Sequence, residues 1–329
     1  MRHTFAYLSV IACLWTIPAL ADPLPSWSEG DAKDRIIEFV SSVTNPASDG
    51  YVTGTDRIAV FDNDGTLWAE QPVYFQLIFA MDRLRDMAAA DPSVLSSDAL
   101  KAAANGDLAA VAEGGDNAIL EVINATHAGV SVEDYQEEVL SWLAQARHPS
   151  TGLAYNQMTY QPMVELLRYL RDEGFQTFIV SGGGIHFMRA FSEEAYGIAP
   201  DQIIGSMMET EFTDGEAGPE IVKTPGIAFV DDKEGKPIGI DRHIGKRPVI
   251  AVGNSDGDFQ MLRWTTAGAG PRLGVLVHHT DAEREFAYDR DSHIGRLNDG
   301  LDQGPDLGWL IVDMANDWQR IYTGTPAAQ

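Results

Sequence analysis

One stretch, Arg57-Ile-Ala-Val-Phe-Asp-Asn-Asp-Gly-Thr-Leu67, constrains the fold more than any other. Ile58 to Phe61 has the composition of a strand covered on both faces, and it stops in a polar turn. Two carboxylates stand at its carboxyl end, Asp62 and Asp64, followed by Gly65 and Thr66. In open α/β sheets, ligands bind just beyond the carboxyl ends of the strands. Two such charges about 4 Å apart repel by roughly 4 kcal/mol at an effective dielectric near 20. A divalent cation removes that cost, and so does one acid that stays protonated and donates a proton. The stretch alone leaves a second possibility open, an Asx-type turn in which Asp62 and Asp64 cap their own backbone.

The chain opens with Met1-Arg2-His3, an apolar run from Thr4 to Ile17, and Pro18-Ala-Leu-Ala21. A basic start, a short apolar region and an Ala-x-Ala end describe a secretory leader, so a periplasmic or secreted protein is expected. Cys13 is the single cysteine and falls inside that leader. A mature chain would then have no disulfide and no cysteine nucleophile. The formal charge of −26 argues against nucleic acid and against anionic membranes as partners. An anionic substrate would need a local positive site, because the overall field repels it.

Ser28 to Thr44 reads as a packing helix, with Ser28 as its cap and Asn45-Pro46 as its stop. After Leu67 the pattern stays helical, in segments 73–90, 94–104, 117–127 and 131–146. These are broken at Asp91-Pro92, Gly114-Gly115 and Gly129. A helix starting near Pro162 and ended by Gly174 leads to a buried strand, Phe175 to Val180, which stops in Ser181-Gly182-Gly183-Gly184. Helix, glycine and strand in that order make a crossover of a parallel sheet. Residues 204–230 suggest a strand or hairpin, and a short helix runs from Lys236-Pro237 to Ile244. Pro248 to Val252 and Gly274 to Val277 are short strands, and Trp309 to Val312 is a candidate last element. The strand from Pro248 ends in Gly253-Asn254-Ser-Asp256-Gly-Asp258.

Asp62-Asn-Asp64-Gly-Thr66 resembles the first motif of the haloacid dehalogenase-like hydrolase superfamily in its phosphatase form. The later polar strand ends follow in that superfamily's order, over roughly residues 55 to 265. Val180-Ser-Gly-Gly and the helical insertion point toward its phosphoserine phosphatase-like branch. The resemblance implies a Rossmann-like parallel sheet with helices on both faces and an inserted all-helical cap domain. Its expected domains are a signal peptide (1–21), an α/β core (22–70 and 155–329) and a cap (71–154). It implies that Asp62 is the nucleophile and that Asp64 is the general acid and base. Ser181 and Gly182 would hold the phosphoryl oxygens together with a lysine. Lys236, at a helix start, and Lys246, before a strand, both qualify, and Lys236 fits the third motif. Magnesium would be held by Asp62, Asp64, Asn254 and Asp258. Asn254 stands where the fourth motif has an acid, and Asp256 is an extra carboxylate beside it. A glutamate reads the substrate amine in that branch, and Glu70 lies near its place.

The reaction expected is hydrolysis of a small phosphomonoester through an aspartyl-phosphate. Transfer to an acceptor alcohol, or binding of a phosphorylated ligand without turnover, are the alternatives. His186, Arg189, His278, His279 and Asp281 lie near the expected site. The 278–281 group reads as a solvated loop.

Overall fold

The computed structural model of the protein describes residues 22–215 and 218–325. The leader expected over residues 1–21 lies outside the described residues. Strand β1 (Ile58–Phe61) is the middle of a seven-stranded sheet. On one side of it lie β2 (Gln176–Gly184), β3 (Ile203–Gly215) and β4 (Gly218–Phe229). On the other lie β5 (Ile250–Gly253), β6 (Leu273–His278) and β7 (Leu310–Asp313). The order is β4-β3-β2-β1-β5-β6-β7, and every pairing is parallel except the antiparallel β3–β4 hairpin.

The helices in chain order are α1 (Asp31–Thr44), α2 (Phe75–Ala90), α3 (Asp98–Ala104), α4 (Leu108–Glu113), α5 (Gly115–His127) and α6 (Val132–Gln145). They continue with α7 (Gln161–Asp172), α8 (Ile185–Tyr196), α9 (Gly235–Ile244) and α10 (Phe259–Thr266). Two short turns, α11 (Asp299–Gln303) and α12 (Met314–Asp317), close the chain.

Alternation along β1 explains why helices cover both faces. Ala59 and Phe61 join one buried cluster with residues of α1, α7 and α8, while Ile58 and Val60 join the cluster under α9 and α10. Successive side chains point to opposite faces, so a strand apolar at every position requires two cores. The segment between β1 and α7 is helical as expected, and α4 is an addition to the expected helices. Ala80, Met81, Leu84, Leu100, Ala103 and Val122 give α2 to α5 a small core of their own.

Two expectations change. Ser28 does not cap α1: the helix starts at Asp31 after Gly30, with no side-chain cap. Ser28 N instead donates to Asp317 O at 2.7 Å, tying the start of the described chain to its end. The covering of the strand ends is also not helical alone. The hairpin reaches α5 and α6, where Ser131 bridges Val222 and Gly129 N donates to Lys223 O at 2.7 Å.

Candidate active site

Chain order runs from β1 outward to β4 on one side and then returns to β5 on the other. The order reverses at β1, the place where open sheets form a crevice. Asp62 follows Phe61 there, and Asp62 N donates to Val252 O at 2.9 Å, so the turns after β1 and β5 lie side by side. Gly65 sits at φ 72°. A Cβ at Gly65 would lie 2.1 Å from Asn254 Nδ2, so the turn needs glycine both for its dihedral and for the approach of Asn254.

The structure brings together most of the residues singled out from the sequence. Lys236, at the start of α9, is 2 % exposed. Its Nζ donates to Asp62 Oδ1 and to Asp258 Oδ1, both at 2.6 Å, and to Val180 O at 2.9 Å. Lys246 lies elsewhere, exposed and paired with Asp56 at 2.8 Å. The second Asp258 oxygen accepts from the amides of Asn254 and Ser255 at 3.0 and 3.1 Å. Both Asp258 oxygens thus accept from protein donors, and the residue expected to hold metal also anchors Lys236. Asp256 turns away and accepts from the amides of Asn298 and Gly300.

β2 carries a bulge at its end. The register with β3 shifts between Ser181 and Gly184, which leaves Gly182 and Gly183 outside the ladder. Both line the same cavity as Asp62, Asp64, Ser181 and Lys236. Ser181 Oγ accepts from Gly183 N at 3.2 Å, which shapes the turn. Gln76 of α2 reaches down from the helical segment, and its Oε1 accepts from Gly184 N at 2.7 Å. A bulged strand end with glycines exposes backbone N–H groups toward an anion.

The charges do not balance. Lys236 is held above its ordinary value because Asp258 and Asp62 outweigh the effect of burial. Asp62 is pushed up to about 8, first by burial and then by Asp258, since one lysine cannot neutralise two carboxylates. Asp64 is raised to about 6 by burial, although Trp68 Nε1 donates to its Oδ1 at 2.7 Å. Glu70 also lines the cavity and is raised well above its ordinary value, by burial and then, in part, by Asp64 and Asp62. Its Oε1 already accepts from Asn254 Nδ2 at 2.7 Å and Tyr288 Oη at 2.8 Å.

Among the described residues no three Asp, Glu, His or Cys side chains gather closely enough to hold a metal ion by themselves. The oxygen donors at this end of the cavity belong to Asp62, Asp64 and Asn254, whose amide oxygen accepts from Thr66 Oγ1 at 3.0 Å. Oxygen donors beside uncompensated carboxylates fit a hard divalent cation with few protein ligands and several waters.

Other residues near the site differ from expectation. His279 is buried, 2.8 Å from Gly65 O and 3.2 Å from Glu285 Oε2, so the expected solvated loop is in fact packed beneath the motif turn. His186 lines the cavity, while Arg189 donates to Pro200 O at 2.8 Å, away from the site. Lys223 and His127 also line the cavity, and no motif points to either.

A sequence profile of the haloacid dehalogenase-like hydrolases matches residues 59–263. The chain belongs to that family. The matched region runs from β1 into α10 and contains all four polar strand ends or helix starts. No curated protein matches the chain. Among solved structures, a conserved protein of unknown function from Anaerococcus prevotii DSM 20548 is similar with a TM-score of 0.53 and 15% identity. That match covers 80% of this chain and 89% of the other, and it is a likeness of fold. A protein of unknown function from Bordetella pertussis Tohama I is 17% identical with a TM-score of 0.47, covering 78% of this chain and 98% of that one. A probable phosphoserine phosphatase from Vibrio cholerae is 15% identical with a TM-score of 0.39, covering 79% and 65%.

Proposed function

We propose that this haloacid dehalogenase-like hydrolase is an exported, magnesium-dependent phosphomonoesterase acting through an aspartyl-phosphate. The observation that carries the reading is the placement of Asp62. It is buried at the end of the central strand, held by Lys236 on one oxygen, and it lines the cavity. A carboxylate so placed can attack phosphorus and divide one hard displacement into two easier ones.

Asp64 suits the proton donor. Burial raises it to about 6, toward the neutral range in which a group can both give and recover a proton. It would protonate the leaving alcohol and then take a proton from the attacking water. The amides at Gly182 and Gly183, with Ser181 and the Lys236 ammonium, would receive the phosphoryl oxygens. Asp258 keeps Lys236 in position without touching substrate. When bound, a magnesium ion at Asp62, the Asp64 carbonyl and Asn254 would neutralise charge on the phosphoryl group. Asn254 supplies no charge there, which accords with a cation held by few protein ligands. The helical segment and the hairpin over the strand ends would exclude bulk water and favour small esters.

The test is release of inorganic phosphate from a generic aryl phosphate in magnesium buffer. Asp62→Asn should lose roughly a thousandfold or more with its circular dichroism spectrum unchanged, and a chelator should silence the native chain. A variant within about tenfold of the native rate would remove the nucleophile assignment. Persistent activity in chelator would remove the metal.

A further inference from the structure

β4 buries one side chain in its length, and it is a lysine. Ile221 on the same strand and Phe212 on its partner are 40% and 66% exposed, while Lys223 is 4% exposed. The usual preference is inverted, because lysine is almost never fully buried unless paired. The backbone accounts for the strand position: Lys223 N and O bond to Val130 O and Gly129 N, fastening the hairpin to the loop before α6. It does not account for the ammonium. Nζ stands 3.5 Å above the Tyr135 ring centroid. No carboxylate of the described residues offsets its charge, and burial with Arg83 nearby depresses it from 10.5 to about 7. Methionine would fill the same space without that cost.

Lys223 is not alone. His127 Nε2 is buried and has no partner among the described residues, while its Nδ1 lies 2.7 Å from Thr126 Oγ1. His186 is close enough that the Lys223 charge helps to lower it to about 4, after burial. Arg83, paired with Glu138, adds to the positive field. Lys223, His127 and His186 all line the cavity of about 560 Å³ that contains Asp62, Asp64 and Ser181. Within it Lys236 acts on Asp62 and Asp64, and Lys223 on His127 and His186. Leu77, Ile119, Leu120, Ile123, Met207 and Ile227 add apolar lining to the same cavity.

We propose that Lys223, with His127 and His186 beside it, forms a second anion-accepting subsite in this cavity. The substrate is then a phosphomonoester that carries a further anionic group, carboxylate or phosphate, beyond an apolar spacer. The proposal rests on the phosphatase reading for the pole at Asp62. At the other pole, a bound anion supplies the counter-charge that Lys223 lacks, and it makes a charge-assisted hydrogen bond in a dry site. His127 Nε2 adds a contact when it holds a proton.

Non-hydrolysable phosphonates test this without turnover. Calorimetry in magnesium buffer compares para-carboxyphenylphosphonate and para-phenylene bisphosphonate with para-carbamoylphenylphosphonate, whose second group is uncharged. The native chain should bind at least one of the doubly anionic probes roughly tenfold to a hundredfold more tightly than the carbamoyl probe, and the better of the two distinguishes carboxylate from phosphate. Lys223→Met should reduce that preference to within about twofold, and Lys223→Arg should keep most of it. A native chain without preference overturns the subsite, and so does a preference that survives Lys223→Met in a variant of unchanged circular dichroism. Should Lys223→Met fail to fold, the native preference alone decides. If the preference holds while the matching phosphate esters release no phosphate, the phosphatase reading falls and the subsite stands. If phosphate is released without preference, the subsite falls and the phosphatase reading stands.

Discussion

Replacing Asp258 and Asp62 by asparagine should have unequal consequences for stability and similar ones for activity. Lys236 is 2 % exposed and shared between the two carboxylates at 2.6 Å each. Asp258→Asn removes a carboxylate whose other oxygen accepts two backbone amides, so the new side chain cannot satisfy the ammonium and the amides together. Breaking one side of a buried ion pair costs roughly 3–5 kcal/mol, a fall of about 6–10 °C in melting temperature at this chain length. Asp62→Asn also deprives Lys236 of a partner, but it relieves the repulsion that Asp62 shares with Asp258 and Asp64. The two effects offset, and the change should stay within ~1 kcal/mol. The assay is thermal denaturation of metal-free protein at neutral pH, followed by circular dichroism, beside phosphate release in magnesium. Equal destabilisation by the two substitutions, or a silent Asp258→Asn, would refute the reasoning that Asp258 anchors the lysine and Asp62 is the strained member.

Three further outcomes follow from the same contacts. Lys223→Met should raise the melting temperature by roughly 2–8 °C at pH 6 to 7. A folded pKa depressed to about 7 from 10.5 penalises the ammonium fully below that value and ever less as pH rises toward 10.5. The gain should therefore shrink between about pH 7 and 10, and a gain independent of pH would contradict the assignment. Gly65→Ala should cost ~2–4 kcal/mol and most of the activity, because the new methyl group meets Asn254 at a positive φ; denaturant titration measures it. His279→Leu removes the histidine's contacts with Gly65 O and Glu285 Oε2 and should destabilise by about 2–4 kcal/mol, whereas a truly solvated histidine would cost nothing.

The parts of the site that can be read from the sequence lie where chain direction and local chemistry agree. β1 and β5 are covered on both faces, so each reads as an apolar run that ends abruptly in carboxylates or amides. The turn glycines at Gly65 and Gly182-Gly183 are visible because only they tolerate the dihedral or leave the amides bare. Lys236 is favoured over Lys246 by its Lys-Pro pair at a helix start, and three-dimensional placement separates the two fully. Asp258 is ambiguous for a related reason: an acid four residues beyond Asn254 reads equally well as a metal ligand or as a lysine anchor. The contacts made across long separations leave no local trace. His279 meets Gly65 and Glu70 meets Tyr288 over intervals of 214 and 218 residues, and nothing local marks a polar residue as buried. The hairpin strand is the clearest case. A strand that exposes Ile221 and buries Lys223 runs against the hydrophobic pattern from which strand faces are read.

The central claim is that Asp62 becomes phosphorylated during turnover. Acid quench of the native chain during steady-state hydrolysis, followed by borohydride reduction and peptide mass spectrometry, examines that carboxylate directly. Reduction of an acyl phosphate converts the aspartyl side chain to homoserine, and the account predicts this product at position 62 alone, dependent on substrate and magnesium. Reduction at another carboxylate, or a chain that hydrolyses phosphate esters while Asp62 stays unmodified under every quench time, would contradict it.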